Sequence, residues 1–239
     1  MNIVRILLIL LATTTAAHAD WFAIWRPTGG RAQLDETNAY SAIQCDILVD
    51  VTTHCDEQGR KTAYEPDKVT YCHEATHMVN SRIRQAMRPG WAGFYLGSHC
   101  IAYLPIPNIT LTQAAKYVHS SLQNSTYQLY FVEQRRYWND NALYVFDEWS
   151  AYINGSQAAV ELRVDNHGEF DRAVWFCHYA DCVLVAIKQH DPHYSAFKDL
   201  EAFIHFQKQR TLKYATPKER NEYQLLRARW LASPQTTQH

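Results

Sequence analysis

The chain has 239 residues, with 23 Lys plus Arg against 24 Asp plus Glu and a formal net charge of −1. Near-neutral charge with both signs interspersed leaves no electrostatic footprint for a polyanion, which argues against nucleic acid as a partner. The length fits one domain with a sizeable core.

Residues 1–19 read as a secretory signal peptide: Arg5 supplies a positive charge, Ile6 to Ala12 form a short apolar run, and Ala17-His18-Ala19 offers a small-x-small cleavage site before Asp20. A membrane anchor would need roughly 20 apolar residues, and Thr13, Thr14 and Thr15 interrupt this run almost at once. No later stretch is apolar enough to span a bilayer. Residues 20–239 are therefore expected as one exported domain, periplasmic or secreted, without a long pro-segment before the first strand. The six cysteines, Cys45, Cys55, Cys72, Cys100, Cys177 and Cys182, are even in number. In an oxidising compartment this predicts up to three disulfides with most cysteines paired, and a short hairpin would bring Cys45 and Cys55 together. Asn108-Ile109-Thr110, Asn124-Ser125-Thr126 and Asn154-Gly155-Ser156 match the glycosylation acceptor pattern.

In chain order, Ser41 to Thr53 is rich in Ile, Val and Leu with partial alternation and predicts a strand. Pro66 at a natural first helical position opens a helix without a breaker to Met87, where Arg88-Pro89-Gly90 stops it. Trp91 to Leu104 predicts a hairpin about Gly97-Ser98, and Thr110 to Gln123 another helix. Tyr127 to Val132 reads as a strand, Asn139-Asp140-Asn141 as a turn, and Ala142 to Ile153 as a helix closed by Asn154-Gly155. Phe170 to Gln189 carries Ala173, Cys177, Ala180, Leu184 and Ile187 at helical spacing and predicts a buried helix. Ser195 to Lys208 predicts a further helix, and the capping box of Thr216-Pro217-Lys218-Glu219 begins the last one. The sum is a helix-rich α+β domain with a small sheet rather than alternating βαβ units.

His73-Glu74-Ala75-Thr76-His77 lies inside the Pro66 to Met87 helix. Residues four apart share a helix face, so both imidazoles can reach one metal ion while Glu74 points to its open side. A tetrahedral zinc with three protein ligands keeps a position for water and lowers that water's pKa toward neutrality, and Glu74 can take its proton.

The window Thr70-Tyr71-Cys72-His73-Glu74-Ala75-Thr76-His77-Met78-Val79 resembles the extended signature of the HExxH zincin metallopeptidases. The resemblance implies a zincin-like fold with a central HExxH helix, one zinc ion on His73 and His77, and Glu74 as general base. Metzincins place a glycine and a third histidine where this chain has Asn80 and Ile83. Thermolysin-like and aminopeptidase-like zincins use a glutamate some twenty residues on, and no Asp or Glu occurs here between His77 and Glu133. The Asp147 to Tyr152 stretch is similar to the second glutamate helix of gluzincins with a distant third ligand, which points to Glu148. His99, His119, Glu133 and Asp140 are the rival ligands.

Tyr144 and Tyr152, one turn either side of Glu148, are candidates for stabilising the oxyanion. Asp147 is a candidate for orienting a ligand histidine from behind. The expected function is an exported zinc-dependent endopeptidase acting on protein or peptide substrates, which would add as a strand to a sheet edge. The competing expectation is a non-enzymatic, disulfide-stabilised exported binding protein with a structural zinc or an accidental motif.

Overall fold

The computed structural model describes residues 22–28, 31–35, 47–55, 67–165 and 168–232. The expected signal peptide therefore lies outside the described residues. Among the described residues, no helix is long and apolar enough to cross a membrane.

A small antiparallel sheet has the order β2-β1-β4-β3, from β1 (Phe22–Thr28), β2 (Arg31–Asp35), β3 (Trp91–Gly97) and β4 (Cys100–Pro105). Between the second and third strands come α1 (Ile47–Cys55) and α2 (Lys68–Ala86), and after the sheet comes α3 (Leu111–Ala115). Short helical turns over 120–138 lead into α4 (Tyr144–Leu162), α5 (Glu169–His190), α6 (Phe197–Lys213) and α7 (Pro217–Ala232). The chain is thus helix-rich α+β.

The hairpin forms as expected. Ser98 and His99 take positive φ between β3 and β4, the backbone that a two-residue turn needs to match the twist of its strands. Alternation along the hairpin then serves two cores. Ala92, Phe94, Leu96, Ala102 and Leu104 face the α4–α6 helices, while Tyr95 and Ile101 face α1 and α2. Gly93 sits where β3 presses on α2: a Cβ there would stand 2.2 Å from Ile83 Cγ2. Its missing side chain lets the sheet lie directly against the helix that carries the histidine motif.

Helix α2 begins where Asp67 caps it, accepting from Val69 N and Thr70 N at 3.1 Å each. It buries Val69, Cys72, Thr76, Val79 and Ile83. Helix α7 has the expected capping box, with Thr216 N donating to Glu219 Oε2 at 2.6 Å and Glu219 N to Thr216 Oγ1 at 3.3 Å.

Four expectations need correction. The described part of the Ser41 to Thr53 stretch read as strand belongs to the helix Ile47–Cys55: Ile47, Asp50 and Val51 are buried while Val49 is exposed, a three-to-four spacing that the apolar run disguised. Tyr127 to Val132 is a run of helical turns, not a strand, because Tyr130 and Phe131 both turn inward against Phe176 and Tyr179. The helix expected over 110–123 starts at a Thr110–Gln113 capping box but ends at Ala115, followed by a separate turn at Ser120–Leu122. Helix α4 runs through Asn154-Gly155 to Leu162 and closes on Arg163 in the left-handed conformation.

Asn154 does not cap α4, because its amide donates to Thr76 Oγ1 at 3.1 Å and accepts from Arg210 Nη2 at 2.8 Å. It is fully buried, so its acceptor triplet has no access to a glycan in the folded chain. Cysteine pairing is also narrower than expected. Cys100, Cys177 and Cys182 are buried free thiols, and the Cys72 thiol donates to the Asn154 carbonyl. The last two of the free thiols are fixed along one helix, α5, facing different neighbours. The Cys45–Cys55 pairing lies outside the described side chains.

Candidate metal centre

Helices α2 and α4 pack against each other over much of their lengths, and their contact brings His73, His77 and Glu148 together. The His73 and His77 Nε2 atoms stand 3.1 Å apart. Glu148 Oε2 lies 3.5 Å from His77 Nε2 and 3.8 Å from His73 Nε2. Ligand bonds of about 2.0–2.1 Å in a tetrahedron put neighbouring donors about 3.3 Å apart, close to this triangle. Glu148 Oε2 is buried and has no hydrogen-bond partner. A buried carboxylate oxygen left unpaired is costly, and a cation on the same side as both Nε2 atoms removes that cost. These three residues can hold a metal ion.

Both rings are oriented from behind. His73 Nδ1 donates to Glu169 Oε2 at 2.8 Å, and His77 Nδ1 donates to Asp147 Oδ1 at 2.6 Å. In the neutral ring each bond places the proton on Nδ1 and leaves the Nε2 lone pair facing the cluster. Asp147 is held in turn by Asn80 Nδ2 at 2.9 Å and by Arg84. Burial alone would raise its pKa, but His77, Arg84 and Asn80 outweigh burial and bring it down to about 2. Burial likewise works against charge on His77, yet Glu148 and then Asp147 prevail and hold its pKa well above the ordinary value. For Glu148, burial is outweighed by the two histidines, so its carboxyl stays ionised. Metal binding at such a cluster would release the imidazole proton that these carboxylates favour.

The fourth side opens on a cavity of about 350 Å³. Glu74 lines it beside the histidines, half-buried, as do Tyr130, Gln134, Trp138 and Tyr144. The Tyr144 hydroxyl donates to Glu148 Oε1, which leaves Oε2 as the oxygen free for an ion. Trp138 stacks on Tyr144 at 4.2 Å between centroids, with planes 5° apart. Tyr152 is placed differently: its ring lies edge-on to His73 at 4.4 Å and its hydroxyl bonds that of Tyr130. It is a buried wall of the site rather than a group lining the cavity.

His73, His77, Glu74, Glu148, Tyr144 and Asp147 are thus brought to one place. The rival ligands are elsewhere: His99 faces Asp50 in the hairpin, His119 accepts from Ser121 N, and Glu133 and Asp140 are exposed. Among the described residues, His73, His77 and Glu148 make up the one group of three with ligand spacing. Glu169 escaped the sequence reading because it lies 96 positions from His73 and looks like an ordinary first-turn acid of α5. Tyr130 escaped it because Tyr127 to Val132 reads as a strand, and Gln134 and Trp138 because they fall between that stretch and the Asn139-Asp140-Asn141 turn.

Comparison of the chain with protein-family models, with curated proteins and with solved structures finds no match.

Proposed function

We propose that the chain is an exported zinc-dependent endopeptidase of the HExxH zincin type, with a distant glutamate completing the ligand set. The observation that carries this reading is the unpartnered Glu148 Oε2, buried between two imidazole nitrogens whose opposite faces are each tied to a carboxylate. His73, His77 and Glu148 would hold the zinc, and the donor set of two nitrogens and one oxygen suits that ion. When bound, it supplies Lewis acidity that polarises a peptide carbonyl and brings the pKa of water toward neutrality.

The chain's own groups do the rest. Glu74 lies on the cavity side of the histidine face, where its carboxylate takes a proton from water as the oxygen attacks the carbonyl carbon. The same proton passes to the amide nitrogen as the C–N bond breaks. Tyr144 holds Glu148 in place through its hydroxyl. The Trp138–Tyr144 stack forms one apolar wall against which a peptide side chain can rest. A structural zinc is closed by four protein ligands, whereas a catalytic one keeps an open position. Three ligands among the described residues, facing a cavity with a carboxylate in it, support catalysis over the binding-protein alternative.

The test is cleavage of a broad peptide library by zinc-loaded wild type and by Glu74→Gln. The glutamine keeps the size of the side chain but cannot accept the proton. Zinc content and circular dichroism should match wild type, while turnover drops by roughly 10²- to 10⁴-fold. Equal rates for the two proteins, or a wild type that cleaves no peptide, would count against the reading.

A further inference from the structure

The two orienting carboxylates are not held alike. Asp147 is fixed by Asn80 and Arg84 as well as by His77. Glu169, among the described residues, has His73 as the one hydrogen-bond partner of its carboxylate. It reaches that partner from the first turn of α5 across the flank of α4, and the place where it crosses is Gly155. A Cβ built on Gly155 would stand 2.5 Å from Glu169 Oε2, 3.2 Å from its Cδ and 3.4 Å from its Cγ. The colliding atom is the same oxygen that accepts from His73 Nδ1.

We infer that Gly155 is a positioning residue for the metal centre: its bare Cα is the slot through which Glu169 reaches and orients His73. This rests on the reading of His73 as a metal ligand. A glycine inside a long helix is otherwise unfavourable relative to alanine, and Gly155 occupies the interior of a 19-residue one. The slot accounts for it. An alanine there forces the end of a flexible side chain to move and leaves backbone and core untouched, so the fold persists while the His73–Glu169 bond does not. Loss of such an orienting partner weakens metal binding about 10- to 100-fold.

The experiment is a double-mutant cycle of Gly155→Ala and Glu169→Ala, read by zinc affinity in competition with a chromogenic chelator and by the proton resonance of the His73 Nδ1–H. Gly155→Ala alone should bind zinc about 10- to 100-fold more weakly and lose the downfield His73 resonance, while the His77 resonance and thermal stability of the metal-free protein are kept. With Glu169→Ala already present, adding Gly155→Ala should change zinc affinity no further, because the glycine acts through that carboxylate. Wild-type affinity in Gly155→Ala, or an equal loss in both backgrounds, would overturn the inference. A wild type that takes up no zinc would sink the metal reading instead, and the His73 resonance in the metal-free proteins would still decide whether Gly155 governs the contact.

Discussion

A histidine in this chain behaves according to what surrounds it. His77 is drawn toward its charged form by Glu148 and Asp147, whereas His178, in the middle of α5, is 1% exposed with an unpartnered Nε2. Burial, then Lys208 and Arg227, bring its pKa down to about 4. Unfolded, it takes up a proton near pH 6.5. Between those values the unfolded chain binds more protons, so stability rises with pH through the window and is lost as pH falls from about 6.5 to 4. The loss from this group is about 3 kcal/mol at most. Urea unfolding at pH 7 and pH 4 should show a smaller decline for His178→Phe than for wild type, and an equal decline in a folded variant would refute the assignment. At this scale the three candidate ligands and one support, Asp147, were legible, and the second support, Glu169, was not. The spacing of His73 and His77 is a property of five consecutive residues, and Glu148 stood out by the company of its helix. Glu169 and Gly155 become a pair only when α4 and α5 are laid side by side.

Between elements, the candidate metal centre is the contact of α2 with α4, so an ion there would tie two helices whose candidate ligands are 71 to 75 positions apart in the chain. Zinc should therefore stabilise the fold. At a free concentration 100 times the dissociation constant the gain is about 2.7 kcal/mol, which for a domain of this size raises Tm by roughly 5–10 °C. Scanning calorimetry with zinc and then with excess chelator should show the rise and its reversal, while an unchanged Tm would mean that the helices are not bridged. Helix α2 was legible because its uninterrupted length and its Pro-Gly stop agree, although the Asp67 cap rather than a proline at the first helical position sets its start. Helix α1 was not, since a run of Ile, Leu and Val over so few residues suits a strand equally well, and packing of Ile47 and Val51 against α2 decides it. Helix α4 was cut short in the reading because Asn-Gly is an end signal in sequence. Here Asn154 is committed to Thr76 and Arg210, and Gly155 to Glu169.

For the whole molecule, among the described side chains, one face of the β3–β4 hairpin and the α4–α6 helices form the larger core, and α1, α2 and the far face of the hairpin a second one. The candidate metal centre lies where α2, from the second core, meets α4, from the first. That placement is invisible to periodicity, which reports each element's own apolar face and not which faces meet. With three candidate ligands drawn from two elements, occupancy of the site should depend on all three. The account is tested most directly by zinc binding to the purified protein, measured together with circular dichroism for wild type, His77→Ala and Glu148→Ala. Wild type should bind one zinc, His77→Ala nearly none, and Glu148→Ala should bind with strongly reduced affinity, all three folded alike. A folded Glu148→Ala protein that retains one zinc at wild-type affinity would contradict it.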